Sequence, residues 1–184
     1  MAIHLATKNR SLNMYCLDLA VPTLKVRLAQ RPAQKGAPTA LVITSAALRA
    51  ADLARVLRDM KGTKGGDVAK LFAKHFKLEE HAEYLRRTLV GAGVGTPGRL
   101  GRLLSETGMP PHARPFHLCL DRIFPDAISL KALTHIILDV TFRDAKNRTL
   151  LDIPETRDTL FKQVLANEGI RAAIASGKIR VVLF

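Results

Sequence analysis

From residue 40 onward, short apolar runs alternate with stretches of helical periodicity, and no other feature of the chain constrains its fold as tightly. "ALVIT" (40–44), "DVAKLFA" (67–73), "LVGAGV" (89–94), "THIILDV" (134–140) and "KIRVVLF" (178–184) have the length and apolar content of buried strands. Between them lie segments of roughly 10–15 residues with a 3.6-residue period, the rhythm that builds a parallel sheet covered by helices. The expectation is an α/β chain with a three-layer αβα arrangement around a mostly parallel sheet. Ligands of such sheets sit at the carboxyl ends of the strands. That directs attention to Thr44–Arg49, Gly95–Arg99 and Asp139–Asp144.

The helical segments carry their own punctuation. In "SAALRAADLARVLRDM" (45–60), Ser45 is an N-cap candidate, and Leu53, Val56, Leu57 and Met60 recur at i, i+3, i+4 and i+7. "LEEHAEYLRRT" (78–88) places Leu78, Ala82 and Leu85 on one face. Its acids fall in the first turn and its arginines in the last, as the helix dipole favours. "TPGRLGRLLSETG" (96–108) starts with Thr96 as N-cap and Pro97 at the first helical position, and Gly108 is its stop. "PETRDTLFKQVLAN" (154–167) is a helix with Leu160, Phe161, Val164 and Leu165 directed inward, and "IRAAIAS" (170–176) is a short one. "ISLKAL" (128–133) reads as a helical turn, 109–115 and 141–153 as loops, and "FHLCLDRIF" (116–124) as strand or helix. Residues 1–39 show no such periodicity and read as an irregular basic arm closed by the turn-rich "RPAQKGAP". The organisation expected is an arm over 1–39 and one domain over 40–184.

Charge narrows the partners. Of 184 residues, 29 are Lys or Arg and 16 are Asp or Glu, a net charge of +13. Such an excess on a small domain points to an anionic partner, nucleic acid ahead of membrane, with a merely solvated basic surface as the plain alternative. No run approaches the ~18 apolar residues of a membrane span. The first sixteen residues lack the apolar core of a secretory signal. The first 36 carry six Lys/Arg and one acid, Asp18, which leaves a mitochondrial address open. Cys16 and Cys119 imply no disulfide framework.

Several chemistries fail on spacing. Gly93, Gly95 and Gly98 satisfy G-x-G-x-x-G, but the turn follows the third strand, and residues 111–120 hold no acid for a ribose. A G-x-x-x-x-G-K-[ST] phosphate loop and a G-x-S-x-G nucleophile elbow are both absent. His117, Cys119 and Asp121 lack a second ligand pair at zinc spacing. Asp139 and Asp144 form a conceivable carboxylate pair, but neighbouring Arg143 and Lys146 favour salt bridges. No catalytic, cofactor-binding or metal-binding residue is therefore assigned, and no cofactor or small-molecule substrate is expected. Phosphate binding survives: Thr96 caps a helix whose N-terminal amides are partly positive, Gly98 keeps the approach open, and Arg99 adds a fork of donors. An ordinary Thr-Pro helix start is the competing explanation.

"GTPGRLGRLL" resembles the T-P-G-R-[LI] motif of DEAD-box RNA helicases, which in that family contacts the RNA backbone. "LVITSAALRAADL" is similar to a degraded L-V-L-x-P-T-R-E-L-A segment, "KGGDVAKLF" falls at the family's glycine-doublet turn, and "HIILDVTF" at its D-E-A-D strand end. The resemblance covers residues 40–144 and implies a RecA-like lobe without its phosphate loop. Asp139-Val140-Thr141-Phe142 lacks the glutamate of D-E-A-D, and 184 residues leave no room for a second lobe, so ATP hydrolysis is not expected.

The series "TSAALRAADL…GGDVAKLFAKHFKLEEHAEYL…VGTPGRLGRLL…HIILDVTFRDAKNRTLLDIPETRDTLFKQVL" is similar to the CMS-type nucleolar proteins, helicase-like subunits of the small-subunit processome. The likeness runs through nearly all of 40–184, and residues 1–39 add nothing to it. It implies a non-catalytic factor of early 40S (90S pre-ribosome) assembly and pre-rRNA processing, located in the nucleus and nucleolus. Its expected partners are pre-rRNA or rRNA and small-subunit processome proteins, with no membrane. The candidate RNA contacts are Thr96, Gly98 and Arg99, with Ser45 and Arg49 nearby. Arg102 extends the basic face, and Lys70, Lys74 and Lys77 line an additional one. A divergent nucleotide-binding enzyme and a protein-docking module that has lost RNA binding are the alternatives.

Overall fold

The computed structural model describes residues 2–73, 76–108 and 127–184, with side chains described over 11–73, 76–105 and 127–184. Five strands, β1 (Ala40–Ile43), β2 (Asp67–Leu71), β3 (Val90–Gly95), β4 (His135–Leu138) and β5 (Arg180–Leu183), pair in the order β2-β3-β1-β4-β5. Every pairing is parallel. The α/β three-layer expectation therefore holds.

Strand alternation sorts the core into two layers. On β1, Leu41 and Ile43 face one way and Ala40 and Val42 the other; on β4, Ile136 and Leu138 oppose Ile137. Helices α1 (Ala2–Ala20), α2 (Leu24–Ala29) and α3 (Ala47–Met60) cover the Ala40/Val42 face. Helices α4 (Leu78–Arg87), α5 (Pro97–Gly108), α6 (Pro154–Thr159) and α7 (Glu168–Ala175) belong to the opposite side, where Leu85, Leu100, Leu103, Leu160 and Ile170 pack. Both faces of a parallel sheet must be covered, which is why its strands read as continuous apolar runs.

Two readings are corrected here. Residues 1–39 are not an irregular arm: α1 and α2 occupy much of that segment, and Leu17, Val21, Leu24 and Leu28 are buried against α3 and the sheet. Residues 128–133 are bends rather than a helical turn. The 116–124 and 109–115 readings lie outside the described residues.

A third correction concerns the segment after α6. Leu160–Leu165 continues as a π-helix, with the Ala166 amide bonded to the Phe161 carbonyl five residues back. The wider turn shifts the phase of the side chains. Leu160 and Val164 go inward as expected, Leu165 is half-buried, and Phe161 is turned out, 50% exposed. The close approach of this segment to α5 is what Gly101 permits: a Cβ there would lie 2.6 Å from the Gln163 side chain.

Candidate nucleic-acid interface

The three strand ends singled out by the alternation meet at one edge of the sheet. The Thr44 amide bonds to the Gly95 carbonyl, the Asp139 amide to Ile43, and the Thr96 amide to Leu71, at 3.0, 2.8 and 3.2 Å. Gly95 is required for this approach, because a Cβ there would fall 2.2 Å from the Leu71 carbonyl oxygen.

Ser45, Thr96, Pro97 and Gly98 form one wall of an open cleft of about 220 Å³; Glu155, Thr156 and Thr159 of α6 form the other. Thr96 occupies the N-cap position, its carbonyl accepting the Leu100 amide at 3.1 Å. Pro97 has no amide hydrogen, so the first backbone donor that the helix start offers is the Gly98 amide. Gly98 is exposed, and nothing lies within 4 Å of the position its Cβ would take. Ser45 does not cap α3, whose N-cap residue is Ala46 without a side-chain bond. The Ser45 hydroxyl is buried and has no hydrogen-bond partner among the described residues, and the same is true of Thr44.

The arginines of the set are placed differently from the expectation. Arg49 Nε donates to Asp139 Oδ2 at 2.8 Å, and its Nη2 donates to Thr141 Oγ1 at 3.0 Å. The guanidinium also stacks 5.8 Å from the centre of the Phe184 ring. Arg99 is 7% exposed and donates from Nη2 to the Phe76 carbonyl at 2.9 Å. Both forks are thus held inside the structure instead of being offered to solvent. Arg102 is exposed on α5.

Lys70 and Lys77 do not share one surface. Lys70 follows Val68 by two residues, which places it on the α3 side of the sheet, while Lys77 precedes α4 on the other side. Lys77's amide bonds to Glu80 at 2.9 Å and its side chain is exposed. Lys74 lies outside the described residues.

Asp139 is fully buried and saturated with donors. Besides Arg49, it accepts from the Thr141 hydroxyl at 2.7 Å and from the Thr141 and Phe142 amides at 3.2 and 3.3 Å. Asp144 is a separate ion pair: Arg148 Nη2 lies 2.7 Å from its Oδ2, and the Arg148 hydrogen bonds hold its carboxyl below the usual range. The two aspartates are therefore not a carboxylate pair; their ion-pair partners are Arg49 and Arg148, and Lys146 bonds Asp144 only through its backbone amide, at 2.8 Å. Behind the wall, His81 is 4% exposed beside Phe76, with ring centroids 5.3 Å apart. Burial first and Arg99's charge second hold its imidazole down to about 4.

Sequence reasoning missed the α6 wall. Thr156 and Thr159 at i, i+3 just after the helix-starting Pro154 were the available signal. It also missed Thr141 and Phe184 as the anchors of Arg49. Among the described residues no cluster of three or more His, Cys, Asp or Glu is placed to hold a metal, and no helix is long and apolar enough to cross a membrane.

Comparison with known proteins gives this geometry a context. A family model described as "CMS1: U3-containing 90S pre-ribosomal complex subunit" matches residues 7–126 and 115–184, so the match takes in nearly all of the segment before residue 40 that the motifs left out. The chain is 39% identical over 138 residues to Protein CMS1 of Chaetomium thermophilum, covering 75% of this chain and 47% of that protein. It is 30% identical over 174 residues to Protein CMSS1 of Homo sapiens, covering 95% of this chain and 53% of that one. The chain thus spans about half the length of the curated relatives it matches. Its fold is similar to that of a DEAD box protein from Methanococcus jannaschii, with a TM-score of 0.50 at 15% identity, over 91% of this chain and 35% of that one.

Proposed function

The chain belongs to the CMS1 family of U3-containing 90S pre-ribosomal complex subunits, and from that premise we propose that it is a non-catalytic assembly factor of the small-subunit processome, in the nucleolus, that holds pre-rRNA at the turn after β3. Family membership supports a role in ribosome biogenesis. RNA binding, the absence of catalysis and the nucleolar address are this reading's own additions.

The observation that carries the reading is the wall made by Ser45, Thr96 and Gly98. Gly98 is open to approach and lies in the first turn of α5 on the cleft wall, and the buried Ser45 hydroxyl lacks a partner among the described residues. A phosphate fits the amides of a helix N-terminus. Glu155 across the cleft repels an anion, so the phosphate sits on the α5 side.

The state of Asp139 supports the non-catalytic half. A carboxylate that positions water or a metal needs a free oxygen lone pair facing the substrate. Both oxygens of Asp139 are committed, one to Arg49 Nε and the other to Thr141 and the following amides. The residue at the strand end serves as a clamp.

Gly98→Val tests the reading. A Cβ at this position has nothing within 4 Å of it outside the local helix backbone, so the fold should be retained while the approach to the Gly98 amide is narrowed. The expected result is weaker binding of single-stranded RNA, with the log–log salt slope reduced by roughly 0.7 for one lost phosphate contact. Unchanged affinity and slope overturn RNA binding at this turn. Micromolar ATP binding with turnover overturns the non-catalytic assignment. Purification with RNA crosslinking checks the setting: pre-rRNA and small-subunit assembly factors are expected, and mitochondrial ribosome factors in their place overturn the nucleolar one.

A further inference from the structure

The opposite end of the sheet carries a second basic surface that the turn after β3 does not explain. Three stretches of the sequence contain no acid: 19–51, 127–138 and 169–184. The fold brings them together at the amino ends of β1, β4 and β5. The Ser129 amide bonds to the Gly36 carbonyl at 2.8 Å, the Thr134 amide to Thr39 at 2.9 Å, and the Arg180 amide to Thr134 at 2.9 Å. Lys178 Nζ reaches the Leu130 carbonyl at 3.2 Å, which ties the same loops from outside.

The cations that result are Arg27, Lys35, Lys131, Lys178 and Arg180. All but Arg27 are exposed, and Arg27 is half-buried. His135 lies among them. It is the register partner of Arg180 across β4 and β5, so both side chains lie on the face that α2 and Arg27 cover. Burial, then the charges of Arg27 and Arg180, hold the His135 imidazole below its ordinary value, as expected where positive charges gather without a counter-charge. The Thr134 hydroxyl donates to the Thr39 carbonyl at 3.1 Å and therefore accepts from His135 Nδ1 at 2.8 Å, which fixes the ring. Neither Arg27 nor Arg180 makes a side-chain hydrogen bond or an ion pair with a described residue.

We propose that Arg27 and Arg180, beside the buried His135 (6% exposed) and flanked by Lys35, Lys131 and Lys178, form a second docking surface for the phosphate backbone of RNA. A row of cations without interleaved acid suits a polyanion with regularly spaced charge, and two arginines on neighbouring elements offer planar forks that match phosphate oxygens. The chain then holds RNA at both ends of its sheet and bridges two segments. This surface does not depend on the reading of the turn after β3.

The test is binding of oligouridine across a salt series to the full chain, to Arg27→Gln/Arg180→Gln and to Gly98→Val. The double variant removes no described contact, so its thermal midpoint should match that of the parent protein. Its affinity should fall, and its salt slope should drop by roughly 1.4, two single-strand contacts. The His135 ring resonances should shift on RNA addition in the parent and equally in Gly98→Val. An unchanged slope in a folded double variant overturns the surface, and so does an unmoved His135 ring. If oligoglutamate moves the His135 ring and oligouridine does not, the surface takes an acidic protein and the RNA assignment is overturned. Loss confined to Gly98→Val leaves the turn after β3 standing and removes this surface, while the reverse pattern does the opposite.

Discussion

Arg49 and Asp139, ninety residues apart, are joined by a 2.8 Å bond from Nε to Oδ2 that ties the start of α3 to the end of β4. The aspartate side chain is fully buried and the arginine is 13% exposed. A pair this dry contributes less by its existence than its loss would cost, because removing one partner strands the other's charge. Arg49→Met should therefore destabilise the chain by about 3 kcal/mol, a fall in Tm of about 6–12 °C. Arg49→Met/Asp139→Leu should lose less than the sum of the single variants. Denaturant unfolding of all four proteins measures the coupling, and strict additivity would show that the pair is incidental.

Gly95 and Gly98 lie three residues apart and should answer the same substitution in opposite ways. Gly95→Ala drives a Cβ into the Leu71 carbonyl, at 2.2 Å, so β2 and β3 must separate. Gly98→Ala meets nothing within 4 Å and sits in a helix, where alanine is favoured by up to ~1 kcal/mol over glycine. Gly95→Ala should lower the unfolding midpoint, and Gly98→Ala should leave it unchanged or raise it. Equal losses at both positions would contradict the strand spacing.

The buried histidine predicts an acid limb. The folded-state value of His81 is about 4 against 6.5 unfolded. As pH falls below 6.5 the unfolded chain takes up the proton first, so stability is lost between pH 6.5 and about 4 and this group adds no further loss below that. The full shift corresponds to at most about 3 kcal/mol. His81→Leu keeps the volume and removes the charge, so its stability difference between pH 7 and pH 5 should be smaller than the parent's. His135, also depressed, leaves a residual slope in the same window. The depressed carboxyls of Asp144, Asp152 and Asp158 act at lower pH, where protonation removes their bonds to Arg148, Thr149 and Lys162.

The alternation after residue 40 was legible because buried parallel strands leave an unbroken apolar run. Leu53, Val56, Leu57 and Met60 were legible because they repeat at the helical period. Thr96 and Gly98 were placed correctly because Thr-Pro-Gly marks a helix start. What the spacing hid was the direction of long side chains. Arg49 and Arg99 read as surface donors until a buried carboxylate 90 residues away and a carbonyl 23 residues away were found to hold them. The π-turn that exposes Phe161 left no mark in the pattern, because a one-residue phase slip needs the whole packing of α5 against 160–165 to be seen. The first helices hid for another reason: Pro22 breaks a repeat that runs on either side of it.

That repeat gives the last prediction. Leu17, Val21, Leu24 and Leu28 stand at i, i+4, i+7 and i+11, and all are 3% exposed or less. They pack with Leu53, Leu57 and Ile137, so α1 and α2 cover the sheet face that an arm would leave bare. Leu24→Ala removes a fully buried leucine side chain and should cost about 2–5 kcal/mol. Val26→Ala, two residues on at a 64% exposed position, should cost less than about 0.5 kcal/mol. Protease digestion under native conditions gives the second readout: the bonds around Leu24 should resist cleavage in the parent chain and open in Leu24→Ala. Rapid cleavage at residues 24–29 in the parent, with an intact remainder that still unfolds cooperatively, would return the segment to the status of an arm.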